Sequence, residues 1–530
     1  MRRIVLIVAL LCLPSIAFAQ AALTIVRPLP VGASEAGWDA ANPIYRAYTG
    51  MPYVRTIDVL GGAPPYTYTI TSDSSGALSV VAGPCATIGP SCTAGTLTLA
   101  NPTADFTYAV RVTDNLGTVV NSGTISVDVN TNVCDSVGGW CFVDADAGAG
   151  GDGSIGSPYD TISDVWNSTN RADRIMVLRA STPAYVVTGM TQTTPGDCNN
   201  QVAWNETTRP VAWMGYPGEA PVVNFDYDVG VGTSAPCMEF TGQNIWLQGF
   251  EARNIDSIGW QFNVRSNSYG VYVGQMTFDE HLHGQDGQNS AFLMWTAGSN
   301  DSWGDTVTMS TFTDMRLSGA SPGNCALKLY NTRATVVTAS AFSAGDSGEA
   351  VVALKSQVVD AHVRMNTFDD VLTGVGGNMN VDSSGVIEHN LATNCGTGTS
   401  EGCVTLGVSG GGFSIGDYLV RRNTFVGKVN IQNADTADGP WTFATNVIVN
   451  SGGSGSPAVC TALRATCGAI NDAATIVDSG DNLTGADDGS IVDASGNLTG
   501  ASASLVGSRG WQFGASSGGG GVRLRLRGDE

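Results

Sequence analysis

A short turn motif recurs along the second half of this chain, and it restricts the possible folds more than any other feature. Asn-centred turns occur in MNTF, HNLA, RNTF and TNVI, and upstream MTF, STF and SAF hold the equivalent place. The positions concerned are Met276, Ser310, Ser340, Asn366, Asn390, Asn423 and Asn446. Their uneven but coil-sized spacing is typical of a solenoid whose coils bury their apolar faces on one another. Asn suits a repeated turn because it tolerates left-handed backbone and its amides can hydrogen-bond from coil to coil.

The composition favours many short strands over a helical fold. Glycine supplies 68 of the 530 residues, roughly twice its average share, while Leu, Lys and Glu are scarce. This length exceeds one ordinary core, so we expect several domains or one elongated repeat domain. The formal net charge of −22 disfavours nucleic acid and anionic membranes as partners. It also disfavours polyanionic glycans, unless a local basic patch or a bound cation intervenes.

Residues 1–20 have the pattern of a secretory signal peptide. Arg2 and Arg3 precede an apolar stretch over 4–16, and small residues follow at Ala17 and Ala19. We therefore expect a secreted or cell-surface protein. No later run of 18 apolar residues occurs, so the sequence predicts no transmembrane segment. It leaves the oligomeric state open.

Cysteine spacing predicts local disulfides. All of the 12 cysteines except Cys12 lie beyond the signal peptide, and close pairs in an exported protein are most simply bridges that hold loops. Four pairs are seven or eight residues apart: Cys85 and Cys92, Cys134 and Cys141, Cys395 and Cys403, Cys460 and Cys467. Cys198 and Cys237 could form a fifth, longer bridge, which would leave Cys325 over. Zinc is disfavoured because the pairs are scattered and lack histidine partners.

Residues 21–132 predict a separate β-domain. Alternating strands are expected over 66–70, 106–112 and 124–129, and roughly 100 residues of such strands fit an immunoglobulin-like sandwich. The pieces GGAPPYTYTI and YAVRVTDNLGT resemble the Ig-like modules of bacterial surface proteins. Such modules are spacers or glycan-contacting accessories, and the spacer is the interpretation we favour.

Three further pieces carry a family resemblance. The segments 142–166, 209–223 and 244–254, with FVDADAGAGGDG, RPVAWMGYPGE and NIWLQGFEARN, follow one another in the order seen in the early coils of the pectate-lyase-like superfamily. Ile162 and Val165 predict a short amphipathic cap in the first piece. The resemblance implies a right-handed parallel β-helix.

The expected fold class is therefore all-β, with an Ig-like β-sandwich followed by a parallel β-helix solenoid over residues 133–505. A Gly-rich basic tail is expected over 506–530. Proteins of the resembled superfamily usually act on a parallel-sheet face and are often polysaccharide lyases or glycoside hydrolases. The resemblance thus implies that the protein binds or processes an extracellular polysaccharide. A non-catalytic surface adhesin or structural stalk is the competing interpretation, because it also fits an acidic solenoid rich in Asn, Thr and Gly.

A narrower resemblance suggests a catalytic set. The stretch from Lys355 to Phe368, KSQ followed by HVRMNTF, resembles the KS and RxNTF signature of the alginate lyase and chondroitinase B family. In that family the lysine is the base, and carboxylates shortly upstream hold calcium. The resemblance implies β-elimination with Lys355 as base and Arg364 or His362 assisting. Glu349 or Asp346 would recruit calcium, and otherwise no cofactor is expected.

The scarce lysines give a second indication. Lys328 and Lys355 both follow Leu, and they precede Phe342 and Phe368 by almost the same distance along the chain. We therefore expect them on adjacent coils of one face, where an anion between them would relieve their repulsion. Lys328 and Arg333 are the predicted substrate-binding residues. The alternative is that both lysines are ordinary exposed strand residues.

Histidines offer one more candidate. Asp279, His281 and His283 would share one side of an extended segment, as a metal or acid–base cluster. A polar surface loop is the other interpretation, and it is the one we favour.

Overall fold

The structure is a computed structural model, and it describes most of the chain up to residue 449 and short segments beyond. The residues described are 22–32, 42–82, 94–134, 139–167, 175–181, 184–186, 203–206, 212–224, 238–242, 245–256, 260–264, 270–282, 291–296, 302–313, 325–378, 383–395, 402–407, 418–427, 429–432, 441–444, 446–449, 476–478, 483–485, 491–493, 498–499, 505–506, 511–514 and 523–526. Regular structure here is almost entirely β. In the described ranges no helix is long and apolar enough to cross a membrane.

Two small sheets form the N-terminal part. Their strands are β1 Thr24–Arg27, β2 Arg46–Tyr48, β3 Tyr53–Leu60, β4 Thr67–Asp73, β5 Ser79–Ala82, β6 Gly95–Leu99, β7 Phe106–Thr113, β8 Val119–Asn121 and β9 Ile125–Asn130. A 3-10 turn, Pro43–Tyr45, precedes β2. One sheet has the order β1-β3-β6-β5 and the other β2-β9-β7-β4, with β8 beside β7. Phe106, Tyr108, Val110 and Val112 alternate inward along β7, as the sequence pattern predicted. We call this region the N-terminal sandwich; its immunoglobulin-like character stays a prediction.

The rest of the described chain is a succession of short strands and one helix, α1 Ile162–Asn167. The strands are β10 Trp140–Val143, β11 Ile175–Leu178, β12 Tyr185–Val186, β13 Ala203–Glu206, β14 Ala212–Gly215, β15 Val222–Asn224, β16 Met238–Gly242, β17 Trp246–Gln248, β18 Glu251–Asp256, β19 Trp260–Val264, β20 Tyr272–Gly274, β21 Thr277–Leu282, β22 Ala291–Thr296, β23 Ser302–Trp303, β24 Thr306–Thr308, β25 Thr311–Phe312, β26 Cys325–Arg333, β27 Val336–Thr338, β28 Ala341–Val359, β29 Ala361–Arg364, β30 Thr367–Asn378, β31 Gly385–Glu388, β32 Leu391–Cys395, β33 Val404–Gly407, β34 Tyr418–Arg421, β35 Thr424–Gly427, β36 Val429–Gln432, β37 Trp441–Ala444, β38 Val447–Val449, β39 Ile476–Asp478, β40 Leu483–Gly485, β41 Ile491–Asp493, β42 Leu498–Thr499, β43 Leu505–Val506, β44 Trp511–Gly514 and β45 Arg523–Leu526.

These strands stack into two long sheets, which we call sheet A and sheet B. Sheet A has 12 described strands in the order β10-β11-β14-β17-β20-β24-β27-β29-β31-β34-β37-β39, and sheet B has 21, from β12 to β42. Neighbouring coils pair in parallel, as in β27 with β29 and β28 with β30. The predicted all-β fold with a parallel β-helix is thereby confirmed.

The two ends of the solenoid differ. Helix α1 packs Ile162 and Val165 against the first coil, and Thr161 Oγ1 caps it by accepting from the Asp164 N–H at 3.2 Å, so the predicted cap is present. At the other end, described parallel pairing stops at β40 rather than at residue 505, because β40, β41 and β42 pair antiparallel. Strands β43, β44 and β45 of the tail form a small antiparallel sheet of their own.

The predicted turn positions form a continuous hydrogen-bonded ladder between sheets A and B. Asn366 donates to Asn390, Asn390 to Asn423 and Asn423 to Asn446, each from Nδ2 to Oδ1 at 3.0 or 3.1 Å. Upstream, the Ser340 N–H donates to Asn366 Oδ1 at 3.0 Å. The two preceding steps run from Ser310 to Ser340 and from Met276 to Ser310. We call these residues the Asn ladder, and the sequence predicted every one of its positions.

The left-handed backbone lies one residue earlier than the sequence suggested. The ladder residues themselves do not have positive φ. The residue before each of the first six does, at Gln275, Met309, Ala339, Met365, His389 and Arg422 (φ between 49° and 56°); the residue before Asn446 lies outside the described residues. The Asn side chains are therefore selected for hydrogen bonding rather than for backbone tolerance. Two residues beyond the ladder, rings of Phe278, Phe312, Phe342 and Phe368 stack with centroids 4.7 to 5.1 Å apart.

Two of the predicted disulfides lie within the described residues, and both are formed. They are Cys134–Cys141 and Cys395–Cys403. The other expected pairs fall outside the described residues: Cys85 with Cys92, Cys198 with Cys237, and Cys460 with Cys467. Residues 1–20, the expected signal peptide, also lie outside them.

The N-terminal sandwich packs onto the outer face of sheet A. Outward-facing residues of the early coils, among them Trp140, Met214, Trp246 and Tyr272, belong to the same buried apolar cluster as the sandwich core. Tyr48 of the sandwich meets the Phe142 ring edge-on at 4.9 Å between centroids. The sandwich therefore does not stand apart from the β-helix as a spacer would.

Candidate functional site

A buried polar network lies between the N-terminal sandwich and sheet A. Asp58 accepts from Thr308 Oγ1 at 2.8 Å and from Thr56 Oγ1 at 2.9 Å, and Thr56 also contacts the Tyr272 hydroxyl. The Arg27 guanidinium lies over the Tyr272 ring, 4.7 Å from its centroid. Burial raises the pKa of Asp58. Burial also lowers the pKa of Arg27 to about 10, against the opposing charge of Asp58. Buried charges need such partners, and here side chains of the sandwich and of sheet A supply them to one another.

Arg364 belongs to this contact, and not to a substrate-facing surface as the sequence led us to expect. It is fully buried at the end of β29. Its guanidinium donates to the Val59 carbonyl at 2.9 Å and to the Tyr66 hydroxyl at 2.7 Å, and its Nε lies 3.3 Å from Glu388 Oε1. A guanidinium in this position cannot meet a polymer in solvent. The expectation that Arg364 assists catalysis is therefore corrected to a structural role.

Glu388 joins Arg364 to the next coil. Its other oxygen accepts from Arg421 Nε at 2.7 Å. Burial alone would raise the pKa of Glu388, but the positive charges of Arg364 and Arg421, together with that of His389 once acid has protonated it, outweigh burial and lower the pKa to about 2. Burial lowers the pKa of His389 to about 3, opposed by Glu388. The group is thus an ionised carboxylate between two arginines, with a neutral imidazole beside it.

His362 lies at the start of the same strand, β29, near the surface. Its Nε2 is 3.0 Å from Asp360 Oδ1, and its side chain is 13% exposed. The hydrogen bond from His362 lowers the pKa of Asp360. His362 and Arg364 are in sheet A, whereas Lys355 is in sheet B, on β28. The predicted set Lys355, His362 and Arg364 is therefore divided between two sheets.

The two lysines do lie on adjacent coils of one sheet. Strand β26 carries Lys328 and pairs with β28, which carries Lys355. The register places Lys328 opposite Ala353 and Lys355 opposite Tyr330, so the lysines are offset by two residues. Position 328 lies between the core residues Leu327 and Leu329. Side chains alternate along a strand, so Lys328 should point away from the core, yet it is only 3% exposed. Lys328 is thus not the open substrate contact that was predicted.

Tyr330 is the residue that the register pairs with Lys355, and sequence reasoning did not single it out. Up to Tyr330, paired residues of β26 and β28, such as Leu327 and Val352, differ by a fixed offset in position along the chain. The two lysines are two positions farther apart than that. Applying that offset to Lys355 leads to Tyr330 rather than to Lys328. The offset was hidden because a register shift follows Tyr330. Arg333, the other predicted substrate-binding residue, is exposed at the end of β26.

Asp346 and Glu349 lie where β28 gains extra residues. Gly345 pairs with Val371 and Ala350 with Thr373, so four residues of β28 face a single residue of β30. These extra residues end before Ala350, and Ala350 itself lies five residues before Lys355, roughly 16 Å along an extended strand. The backbone of Asp346 and Glu349 is therefore farther than that along the strand from Lys355. Among the described side chains, no group of three or more His, Cys, Asp or Glu could hold a metal ion. Calcium stays a prediction, and no chemical step below depends on it.

The remaining histidine candidate is only partly within the described residues. Asp279 accepts from Thr313 Oγ1, and His281 lies farther along β21, while His283 falls outside. Asp279 is thus bonded to the neighbouring coil.

No protein-family model matches the sequence, and no curated protein matches it. Among solved structures, the native GH136 lacto-N-biosidase of Eubacterium ramulus is similar at 9% identity, over 59% of this chain and 60% of that one, with a TM-score of 0.33. Its selenomethionine derivative matches at 9% identity, over 66% and 68%, with a TM-score of 0.35. The family 28 exopolygalacturonase of Yersinia enterocolitica matches at 11%, over 78% and 86%, with a TM-score of 0.32. The chain thus spans 60% of the native biosidase, and likenesses this distant carry no argument about chemistry.

Proposed function

We propose that this protein binds and cleaves an extracellular uronate polysaccharide by β-elimination on sheet B, with Lys355 as the base. The observation that carries the proposal is the register of β26 and β28, in which Tyr330 pairs with Lys355. Paired positions on adjacent strands are close enough for two side chains to act on one sugar ring. A long parallel sheet also offers successive coils to successive units of a polymer.

The chemistry requires two proton transfers. A neutral Lys355 amine takes the proton α to the uronate carboxyl, and the electron pair left behind forms the ring double bond as the glycosidic C–O bond breaks. The Tyr330 hydroxyl gives its proton to the leaving oxygen. Arg333, exposed on the same strand as Tyr330, is the residue we assign to neutralise the carboxylate, in place of the buried Lys328.

The test is incubation of the full chain with a panel of uronate polymers, with and without calcium, while the absorbance of the unsaturated product is followed. We expect Lys355→Ala to lower the rate by roughly 100-fold or more. Lys428→Ala is the control, because it removes a lysine that neither the sequence nor the proposal places at the site. No product from any polymer would contradict the lyase function. Unchanged activity in Lys355→Ala would contradict the site alone.

A further inference from the structure

A pocket of about 340 Å³ opens where the N-terminal sandwich meets the early coils. It lies beside the turns that lead from sheet A to sheet B, and thus away from the paired positions of β26 and β28. This volume is at the lower end of the roughly 300–1,000 Å³ of ligand pockets. The side chains that decide its chemistry are Val54, Tyr216, Glu219, Gln248, Glu251 and Gln275.

Unequal turns build the pocket. Between β14 and β15 the chain needs the six residues 216–221, whereas the next two coils turn in two residues, 249–250 and 275–276. The longer turn therefore projects beyond its neighbours and forms a wall. Glu219 fixes that wall through Arg179, with Nη2 to Oε1 at 2.7 Å, and through the Ala180 N–H at 2.7 Å. The Arg179 guanidinium also lies over the Tyr216 ring, 4.3 Å from its centroid.

Two amides form the floor and are held in place. Gln248 is buried; its Oε1 accepts from Trp246 Nε1 at 2.9 Å, and its Nε2 donates to Gln275 Oε1 at 2.9 Å. Gln248 Nε2 also reaches the Val54 carbonyl at 3.3 Å, which links the floor to the sandwich. Within the described part of the chain, the Gln275 amide N–H groups have no acceptor. A rigid amide pair with spare donors suits a ligand that accepts hydrogen bonds.

The charge of the lining selects the class of ligand. Two carboxylates, Glu219 and Glu251, line the pocket, and among the described lining residues there is no Lys, Arg or His. Arg253 stands beside Glu251, with Nη1 3.7 Å from Oε1, but does not line the pocket. Arg179, the partner of Glu219, does not line the pocket either. An anionic sugar would therefore meet carboxylates and no cation on the described lining, whereas sugar hydroxyl groups donate well to carboxylate oxygens. We infer that this pocket binds a neutral sugar unit of an extracellular glycan, independently of the elimination site.

The experiment is calorimetric titration of the full chain with cellobiose, lactose, maltose and xylobiose, and with digalacturonate as the anionic comparison. Val54→Trp places a bulky ring at the pocket wall and should abolish binding. Gln275→Asn keeps a residue that tolerates the left-handed backbone (φ 55°) but shortens the amide, and should weaken binding by about tenfold. Met309→Asn is the matched control, because Met309 has the same turn position one coil later (φ 49°) and does not line the pocket.

We expect at least one neutral disaccharide to bind, digalacturonate not to bind at this pocket, and Met309→Asn to behave as the unchanged protein. Lys355→Ala should leave this binding intact, so the pocket and the elimination site can fail separately. Absence of binding by every neutral disaccharide would overturn the inference. Neutral-sugar binding that survives both Val54→Trp and Gln275→Asn would overturn it too, because the sugar would then lie elsewhere. Thermal unfolding of each variant checks that the fold is kept.

Discussion

Sheets A and B are built from the same coils, yet their outer faces differ in what they meet. On sheet A the outward residues are apolar in the early coils and charged at Arg364 and Glu388, and the N-terminal sandwich packs onto them. On sheet B, Tyr330 and Lys355 pair across neighbouring strands, with Arg333 exposed nearby. The inward residues of both sheets fill one core. A repeated coil thus fixes its inner face and leaves each outer face free to differ. The outer face of sheet A holds the sandwich, and sheet B is where we propose the elimination site.

The contrast predicts its largest effect at Arg364. Arg364→Ala should lower the free energy of unfolding by about 3–5 kcal/mol, because it leaves Glu388 buried with one cation fewer and removes the contacts to Val59 and Tyr66. Denaturant titration measures this. Arg111→Ala, at an exposed arginine of the sandwich, should stay within about 0.5 kcal/mol. A loss below about 1 kcal/mol for Arg364→Ala would show that sheet A does not depend on this contact.

Acid should weaken sheet A by two routes. The folded pKa of Glu388 is about 2 against 4.5 ordinarily, so its contribution, roughly 3 kcal/mol, is present above pH 4.5 and is lost as the pH falls toward 2. The folded pKa of His389 is about 3 against 6.5. As the pH falls, His389 therefore takes up a proton in the unfolded chain before it does so in the folded protein. The free energy of unfolding thus also falls between pH 6.5 and 3. In His389→Asn, a plot of unfolding free energy against pH should flatten between 6.5 and 4.5. An unchanged slope there would contradict the assignment.

The Asn ladder should be stronger where it consists of asparagine than where it consists of serine. Asn390 accepts from Asn366 and donates to Val363 O at 2.9 Å and to Asn423 at 3.0 Å, so Asn390→Ala should cost about 2–3 kcal/mol. Ser310→Ala loses one donor and one acceptor contact and should cost about 1 kcal/mol. Equal losses in denaturant titration would mean that the two halves of the ladder are equivalent.

The smallest stability effect is expected on sheet B. Arg333→Ala should change the free energy of unfolding by less than about 0.5 kcal/mol, since its side chain is exposed. The KM of this variant for a uronate polymer should nevertheless rise several-fold, because the uronate carboxylate of the substrate loses the positive charge that we propose for its binding. Steady-state kinetics beside a melting curve separates the two effects. A clear loss of stability in Arg333→Ala would contradict our proposal that Arg333 serves the substrate and not the fold.

Local chemistry explains what could be predicted from the sequence. The turn at each coil uses the same few residue types, so the Asn ladder and the Phe stack are visible as a repeat. The docking of the sandwich is not local: Asp58 and Thr308 are 250 residues apart, and no pattern links them. Arg364 suggested catalysis because of its neighbours in sequence, but Tyr66, 298 residues earlier, determines what it does. Tyr330 needed a strand offset that only the paired register supplies.

The Asn ladder also governs how the chain can change in length. Its positions are unevenly spaced along the sequence, yet every step closes with a hydrogen bond of similar length. Each bond restarts the alignment of the following coil, so extra residues such as 346–349 are absorbed within one coil and do not displace the next. Loops on the other corners can thus grow, shrink or be exchanged while the stack keeps its order. A scaffold of this kind can acquire new surface features without refolding its core.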